Sequence, residues 1–185
     1  MHSFSFSITQ PKNMKSTTRT LVFFLLTVFV LSCKKSSNGS SGYYFKASFD
    51  GTAKNLNSSV IAAKSNLGSG IYNLTIVGAT NSEEAGVTLW SDQDNFTAGT
   101  TYNIDALNGT TNNSLSYTSP LGSSNASSIW NSTYSYGSVN QSFTCTITEA
   151  TSTYVKGTFS GVIYMNTDSA VVSKTVTLGE FNAKF

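Results

Sequence analysis

The feature that most constrains this chain is a two-residue alternation of apolar and hydroxyl-bearing side chains. In residues 143–148, Phe, Cys and Ile alternate with Thr, and residues 155–163 continue in the same style with Val155, Phe159 and Ile163 in one register. Successive side chains of a strand point to opposite faces, so this pattern predicts strands with one apolar and one polar face. From residue 43 onward, no stretch of ten residues shows helical periodicity.

Short runs rich in Val, Ile, Thr, Tyr and Phe recur along this whole segment, separated by Gly, Asn and Ser. The predicted strands are 45–49, 60–64, 71–79, 87–91, 100–105, 115–118, 129–136, 142–149, 154–165, 174–178 and 180–185. This spacing is typical of an all-β fold. We predict an antiparallel β-sandwich, with a closed or partly open β-barrel as the alternative.

Three local features refine the predicted fold. Asp50-Gly51 follows the first strand and predicts a tight hairpin. Gly157 and Gly161 fall on the inward register, which predicts a bulge or close backbone packing. Cys145 falls on the same apolar face, so we expect it to be a small buried hydrophobe rather than a reactive thiol.

The N-terminus has the pattern of a secretory signal. Lys15 and Arg19 precede an apolar run at residues 21–31, which ends at Ser32-Cys33. A helix of this length spans about 16 Å, half of the roughly 30 Å hydrocarbon core, so the run is too short for a membrane span. We predict a helical signal peptide at residues 1–32, with Met14 as the true start.

The junction Val30-Leu31-Ser32-Cys33 resembles the lipobox of bacterial lipoproteins, and the Leu-Ser-Cys-Lys-Lys form is similar to Bacteroidota examples. This resemblance implies that Cys33 carries the lipid and anchors the chain. Residues 34–42 are Lys, Ser, Gly and Asn, which predicts a flexible tether of about 17 Å average span. The remainder, residues 43–185, is predicted to be a single β domain. Lys34-Lys35 lacks both an inner-membrane retention Asp and acidic export residues, so we expect the outer membrane, facing the periplasm.

The charges of the mature chain exclude several kinds of function. Once Lys12, Lys15 and Arg19 are removed, eight Lys face nine Asp and Glu, a net charge of −1. His2 and Arg19 are the only residues of their types and lie before Cys33. Without a basic footprint we expect no nucleic-acid partner. Without histidine we expect no Ser-His or Cys-His catalysis, no transition-metal site and no cofactor.

Carboxylates remain as candidate chemical groups. Asp92 and Asp94 form a weak calcium candidate, but they lack the glycine and downstream Glu of an EF-hand loop. We expect this segment to be a turn between strands. A glycosidase would need two carboxylates facing each other across a cleft. The distance between two carboxylates cannot be read from the sequence.

Aromatic residues and one hydroxyl are the other candidates. Trp130, Tyr134 and Tyr136 lie in a Ser/Asn/Gly-rich stretch and are candidates for ligand stacking, the alternative being burial in the core. Ser169 lies in Asp168-Ser169-Ala170, which resembles the acceptor sequence for O-glycosylation of exported Bacteroidota proteins. Its polar surroundings predict an exposed turn.

Both ends of the domain resemble a family of uncharacterised Bacteroidota lipoproteins. The resemblance covers the opening Tyr44-Phe-Lys-Ala-Ser-Phe-Asp-Gly51 and the C-terminal stretch from Thr144 to Phe185, including Val176-Thr-Leu-Gly-Glu-Phe-Asn-Ala-Lys-Phe185. It implies an all-β domain and supplies no catalytic residue. We therefore predict a membrane-anchored, non-enzymatic binding or structural module, with an envelope glycan or protein as partner. The alternative is a carboxylate-based envelope enzyme that acts on glycans.

Overall fold

A computed structural model describes residues 42–107, 111–120, 129–133, 142–166 and 170–185. The regular elements within these ranges are strands, which confirms the all-β prediction. They are β1 Tyr44–Phe49, β2 Thr52–Asn55, β3 Ser59–Asn66, β4 Tyr72–Ala79, β5 Glu84–Ser91, β6 Thr101–Asn103, β7 Asp105–Leu107, β8 Thr111–Asn112, β9 Ser114–Thr118, β10 Ile129–Asn131, β11 Ser142–Ala150, β12 Tyr154–Asn166 and β13 Val171–Lys184. Over these same ranges, no helix is long and apolar enough to span a bilayer.

Six strands form the first layer, in the order β2-β1-β13-β12-β11-β6. Each neighbouring pair is antiparallel, and β13 lies between β1 and β12. The two long strands β12 and β13 pair from Tyr154↔Lys184 to Asn166↔Val171 and form the centre of the layer.

Five strands form the second layer, in the order β3-β4-β5-β9-β10, again antiparallel. A single residue pair joins each edge of this layer to the first: Ile61 pairs with Lys184, and Asn131 pairs with Tyr164. Strand pairing thereby connects eleven strands, which fold over one another as the two layers of an antiparallel sandwich. The sandwich prediction is confirmed.

The core lies between the two layers. Phe45 of β1 packs directly over Gly78 of β4, where a Cβ atom would overlap the phenylalanine side chain. Phe49 of β1 and Tyr117 of β9 have ring centroids 4.6 Å apart. The apolar registers predicted for β11 and β12 are buried, as are most of the aliphatic side chains of β4 and β5. The layers are therefore joined mainly by aromatic and aliphatic contacts.

As their register predicts, Gly157 and Gly161 lie where neighbouring atoms leave no room for a Cβ atom. A Cβ atom on Gly157 would overlap the Phe181 ring, and one on Gly161 would overlap the carbonyl oxygen of Ser142. The register of β12 on β13 shifts between Phe159 and Gly161, which is the expected bulge. Asp50 and Gly51 also match their prediction, because both have positive φ in the turn between β1 and β2.

The structure corrects some strand boundaries. The predicted strands 174–178 and 180–185 are one strand, β13, which continues through Leu178 at a φ of 52°. The segment Thr52–Asn55, not predicted as a strand, pairs with β1 because the hairpin turn brings it alongside. The predicted strand 100–105 is divided between β6 and β7. Strand β10 ends at Asn131, so it is shorter than the predicted 129–136.

Candidate functional site

One polar cluster connects the two layers, and we call Lys54, Glu83 and Tyr117 the interlayer cluster. Lys54 lies on β2 of the first layer, whereas Glu83 precedes β5 and Tyr117 lies on β9 of the second. Lys54 Nζ donates to Glu83 Oε1 at 2.5 Å, and the Tyr117 hydroxyl donates to the same oxygen at 2.8 Å. A single carboxylate thus receives donors from both layers.

The interlayer cluster is an ion pair at neutral pH. The hydrogen bond from Lys54 lowers the pKa of Glu83, and the same bond raises the pKa of Lys54. Both side chains are less than one quarter exposed. Each group therefore stabilises the charged form of the other in a partly dehydrated position.

A second cluster has the same three residue types, and we call Glu149, Tyr154 and Lys156 the hairpin cluster. It lies on the β11–β12 hairpin, where Glu149 pairs in register with Lys156. The Tyr154 hydroxyl donates to Glu149 Oε1, and Lys156 Nζ donates to Oε2 at 2.6 Å. Lys156 Nζ also lies 4.9 Å from the Tyr154 ring centroid. The hydrogen bond from Lys156 lowers the pKa of Glu149, and Glu149 raises the pKa of Lys156 and of Tyr154.

These pKa directions bear on catalysis. A glycosidase general acid needs a carboxyl with a raised pKa, so that it is protonated when the leaving group departs. Glu83 and Glu149 have lowered pKa values instead. Five carboxylates of the described residues are each paired with a different lysine: Glu180 with Lys46, Glu83 with Lys54, Asp94 with Lys64, Glu149 with Lys156 and Asp50 with Lys174. The arrangement suits structural ion pairs better than acid–base chemistry.

The structure places Trp130 in the core, which corrects its assignment as a stacking residue. Its side chain is 8% exposed, and Lys174 Nζ lies 4.6 Å from the ring centroid. The physical reason is alternation within β10: Ile129 points outward at 48% exposure, so Trp130 points inward. The ring offers no free face for a sugar. The other two stacking candidates, Tyr134 and Tyr136, lie outside the described residues.

Asp92 and Asp94 lie in the connection between β5 and β6, as the turn prediction expects. Both are exposed, and Asp94 Oδ1 lies 3.7 Å from Lys64 Nζ. Among the residues placed by the structure, no three His, Cys, Asp or Glu side chains group closely enough to hold a metal ion. The geometry of this loop adds nothing to the weak calcium candidate.

Cys145 is fully buried on β11, in register with Tyr102 and Phe159. Burial raises the pKa of its thiol to about 12. Because the thiolate is the reactive form, this thiol is inert in the folded chain. The prediction of a small buried hydrophobe is confirmed.

Other predicted features lie outside the described residues. They are the signal peptide at residues 1–32, the lipidation site Cys33 and the candidate O-glycosylation site Ser169. They stay predictions from the sequence.

The two Lys–Glu–Tyr clusters were not predicted. A local signal existed for the hairpin cluster, since Glu149 and Lys156 are cross-strand partners once the β11–β12 turn is placed. No local signal existed for the interlayer cluster, because Lys54 and Glu83 are 29 residues apart and meet only when the layers pack.

Comparison of the chain with protein-family models, with curated proteins and with solved structures finds no match. The fold and the clusters define the class: an antiparallel β-sandwich domain whose polar clusters are lysine–carboxylate pairs.

Proposed function

We propose that this chain is a lipid-anchored protein of the bacterial outer membrane, facing the periplasm, with a non-enzymatic binding or structural role in the cell envelope. The observation that carries the non-enzymatic part is the pairing of five of its carboxylates with lysines. In both clusters the pKa of the glutamate is lowered, the opposite of what a general acid requires.

The anchor is supported by the sequence. The apolar run at residues 21–31 ends at Ser32-Cys33, the junction resembles a lipobox, and a Gly/Ser-rich stretch follows. Strand β1 begins at Tyr44, directly after that stretch. A diacylglyceryl group with a further acyl chain at the amino terminus would provide the two hydrophobic anchors needed for stable membrane attachment.

The absence of enzyme activity is supported by the residue types that the mature chain contains. It has no histidine to serve as a base, and Cys145 is buried with a raised thiol pKa. Binding to an envelope glycan or protein requires none of these groups. We infer that the sandwich presents a surface to such a partner at the membrane to which it is attached.

The two cysteines provide a matched test of the anchor. Cells that express the full chain are grown with labelled palmitate, and the protein is followed through membrane fractionation. We expect Cys33→Ala to abolish labelling and release the chain from the membrane fraction, whereas Cys145→Ala keeps both. Labelled, membrane-bound Cys33→Ala protein would contradict the proposal.

The non-enzymatic role is tested by incubating the purified lipoprotein with envelope glycans and measuring new reducing ends. We expect no release by the parent chain, nor by Glu83→Gln or Glu149→Gln. Release by the parent that either substitution abolishes would instead establish the carboxylate-based enzyme.

A further inference from the structure

One end of the sandwich gathers apolar and aromatic side chains beside the point where the tether enters. Tyr43 and Tyr44 stand at the start of β1, Tyr154 at the start of β12, and Phe185 follows the end of β13. Ile61 of β3 joins them because it pairs with Lys184. We call these five residues the tether end.

Backbone pairing and close contacts hold the tether end together. Tyr154 is the register partner of Lys184, and the Phe185 amide donates to the Thr153 carbonyl at 3.1 Å. Tyr43, Ile61 and Phe185 line one groove. The five residues therefore lie at one end of the sandwich.

This surface is apolar and open. Ile61 is 55% exposed, although it is a large aliphatic side chain, and the four aromatic side chains are each partly exposed. A shallow groove of about 660 Å³ runs among Tyr43, Ile61 and Phe185. An exposed aliphatic residue beside partly exposed aromatic side chains is a candidate contact surface.

Lysines surround the aromatic rings of the tether end. Lys46 Nζ lies 5.3 Å from the ring centroid of Tyr44, and Lys64 Nζ lies 5.7 Å from that of Phe185. Lys156 is placed similarly over Tyr154. Tyrosine beside lysine is the composition that proteins place at the membrane–water interface, where the ring sits among headgroups and the ammonium group reaches water.

Most of the charges at this end are paired. Lys46, Lys64 and Lys156 are each paired with an acid of their own: Glu180, Asp94 and Glu149. This surface carries one further lysine, Lys184, which is exposed, lines the groove and has no ion-pair partner among the described residues, so it gains only modestly from anionic lipid. Its contact with a membrane would depend on the rings and on Ile61.

The length of the chain before β1 limits how far the tether end can lie from the anchor. Ten residues from Cys33 to Tyr43 span about 35 Å when fully extended and about 17 Å on average. The 14 residues of β13 extend about 40 Å from Lys184 to Val171. If the anchor is at Cys33, the tether end is held within this span of the headgroups and is the end of the sandwich nearest to the anchor.

We propose that the tether end docks on the phospholipid headgroup region of the membrane that holds the anchor, with Tyr43, Ile61 and Phe185 in contact with lipid. This inference rests on the lipid anchor of the proposed function. The docked domain lies against the bilayer at this end and presents its far end to the periplasm.

The test uses the full chain, processed by the cell and reconstituted into vesicles of phosphatidylethanolamine and phosphatidylglycerol. A single cysteine is introduced by Ile61→Cys at the tether end or by Ser173→Cys near the far end, an exposed position. Cys33 is blocked as a thioether and Cys145 is buried, so only the new thiol takes a fluorescent label. Headgroup nitroxide lipids then quench a label that lies at the interface.

We expect the label at Ile61→Cys to be quenched several-fold more strongly than the label at Ser173→Cys. The same difference is expected in vesicles of phosphatidylcholine alone. Adding Tyr43→Ser should reduce this quenching. Adding Leu178→Ser, which removes an 81% exposed leucine from the face of the first layer, should leave it unchanged.

Flotation of the vesicles distinguishes a failure of docking from a failure of the anchor. A chain that floats with the vesicles but is quenched equally at both positions overturns this inference and leaves the anchor standing. A chain that does not float overturns the anchor and this inference with it. Protection of the Ile61→Cys label from aqueous iodide, without quenching by lipid, would mean that protein covers this end and would also overturn it.

Discussion

The interlayer cluster and the hairpin cluster use the same three residue types to make different kinds of contact. In both, a lysine and a tyrosine donate to one glutamate. The partners of Glu83 are 29 and 34 residues away in the chain, whereas those of Glu149 are 5 and 7 residues away. The first cluster joins two layers, and the second stays within one hairpin.

Burial separates the two clusters further. Tyr117 is 4% exposed, and its ring packs on Phe49 in the core. Tyr154 is partly exposed and belongs to the surface that we propose for membrane docking. The same chemistry therefore stabilises the fold in one place and leaves side chains available for contact in the other. Matched substitutions in the two clusters test this difference.

The largest difference is expected between Tyr117→Ala and Tyr154→Ala. Removing the Tyr117 ring leaves a cavity against Phe49, which we expect to lower the free energy of unfolding by about 3–5 kcal/mol. Tyr154→Ala should cause a much smaller loss, because its ring lies at the surface. Urea unfolding followed by tryptophan fluorescence measures both. Equal losses would mean that the two tyrosines have the same structural role.

The next difference is expected between Glu83→Gln and Glu149→Gln. At neutral pH, Glu83→Gln removes the charged carboxylate to which Lys54 and Tyr117 donate in a partly dehydrated site. We expect the free energy of unfolding to fall by about 1–3 kcal/mol. Glu149 is 45% exposed, so solvent and salt screen its pairing with Lys156. Its substitution should shift the unfolding midpoint several-fold less. A larger shift for Glu149→Gln would reverse our assignment.

The pH dependence of stability should show a smaller effect with a defined sign. The pKa of Glu83 is lowered in the folded chain, so its contribution is present above the ordinary value of 4.5 and lost as the pH falls through the folded value. The pKa of Lys54 is raised, so its contribution is present below 10.5 and lost as the pH rises through the folded value. The stability difference between the parent and Glu83→Gln should be constant between these limits and shrink below the lower one. A difference that grows on acidification would contradict this sign.

The smallest effect is expected at Cys145. This thiol lies on β11 between Tyr102 and Phe159 of the neighbouring strands, and its side chain is buried in the core. Glu149→Gln should leave its rate of reaction with a maleimide unchanged in the folded chain, since the Glu149–Lys156 pair lies on exposed side chains near the turn, whereas Cys145 faces the core. Complete reaction in urea is the control for thiol reactivity. A faster reaction in the folded variant would show that the hairpin cluster keeps β11 in place.

Some features of the fold could be predicted because they depend on neighbours in the sequence. The inward register of Phe143, Cys145 and Ile147 follows from the two-residue period of a strand. The hairpin at Asp50-Gly51 follows from the backbone that a tight turn requires. Gly161 marked a bulge because only a residue without Cβ permits so close a backbone approach.

The candidate sites were less predictable. The sequence indicated an inert Cys145 and a turn at Asp92–Asp94, since burial and turn formation have local signals. Trp130 was ambiguous, because the alternation near it was too short to decide which face it occupied. Only its pairing with the buried Tyr117 within the second layer placed it inward.

By itself, the sequence determined an all-β domain, its buried faces, the positions of its tight turns and the lack of histidine and arginine after Cys33. These properties depend on local periodicity and on residue types. Only the tertiary structure decided that Lys54 meets Glu83, that β13 continues through Leu178, and that Ile61 lies beside Lys184. Such contacts join residues far apart in the chain, and their geometry arises from the packing of whole strands, which no local pattern records.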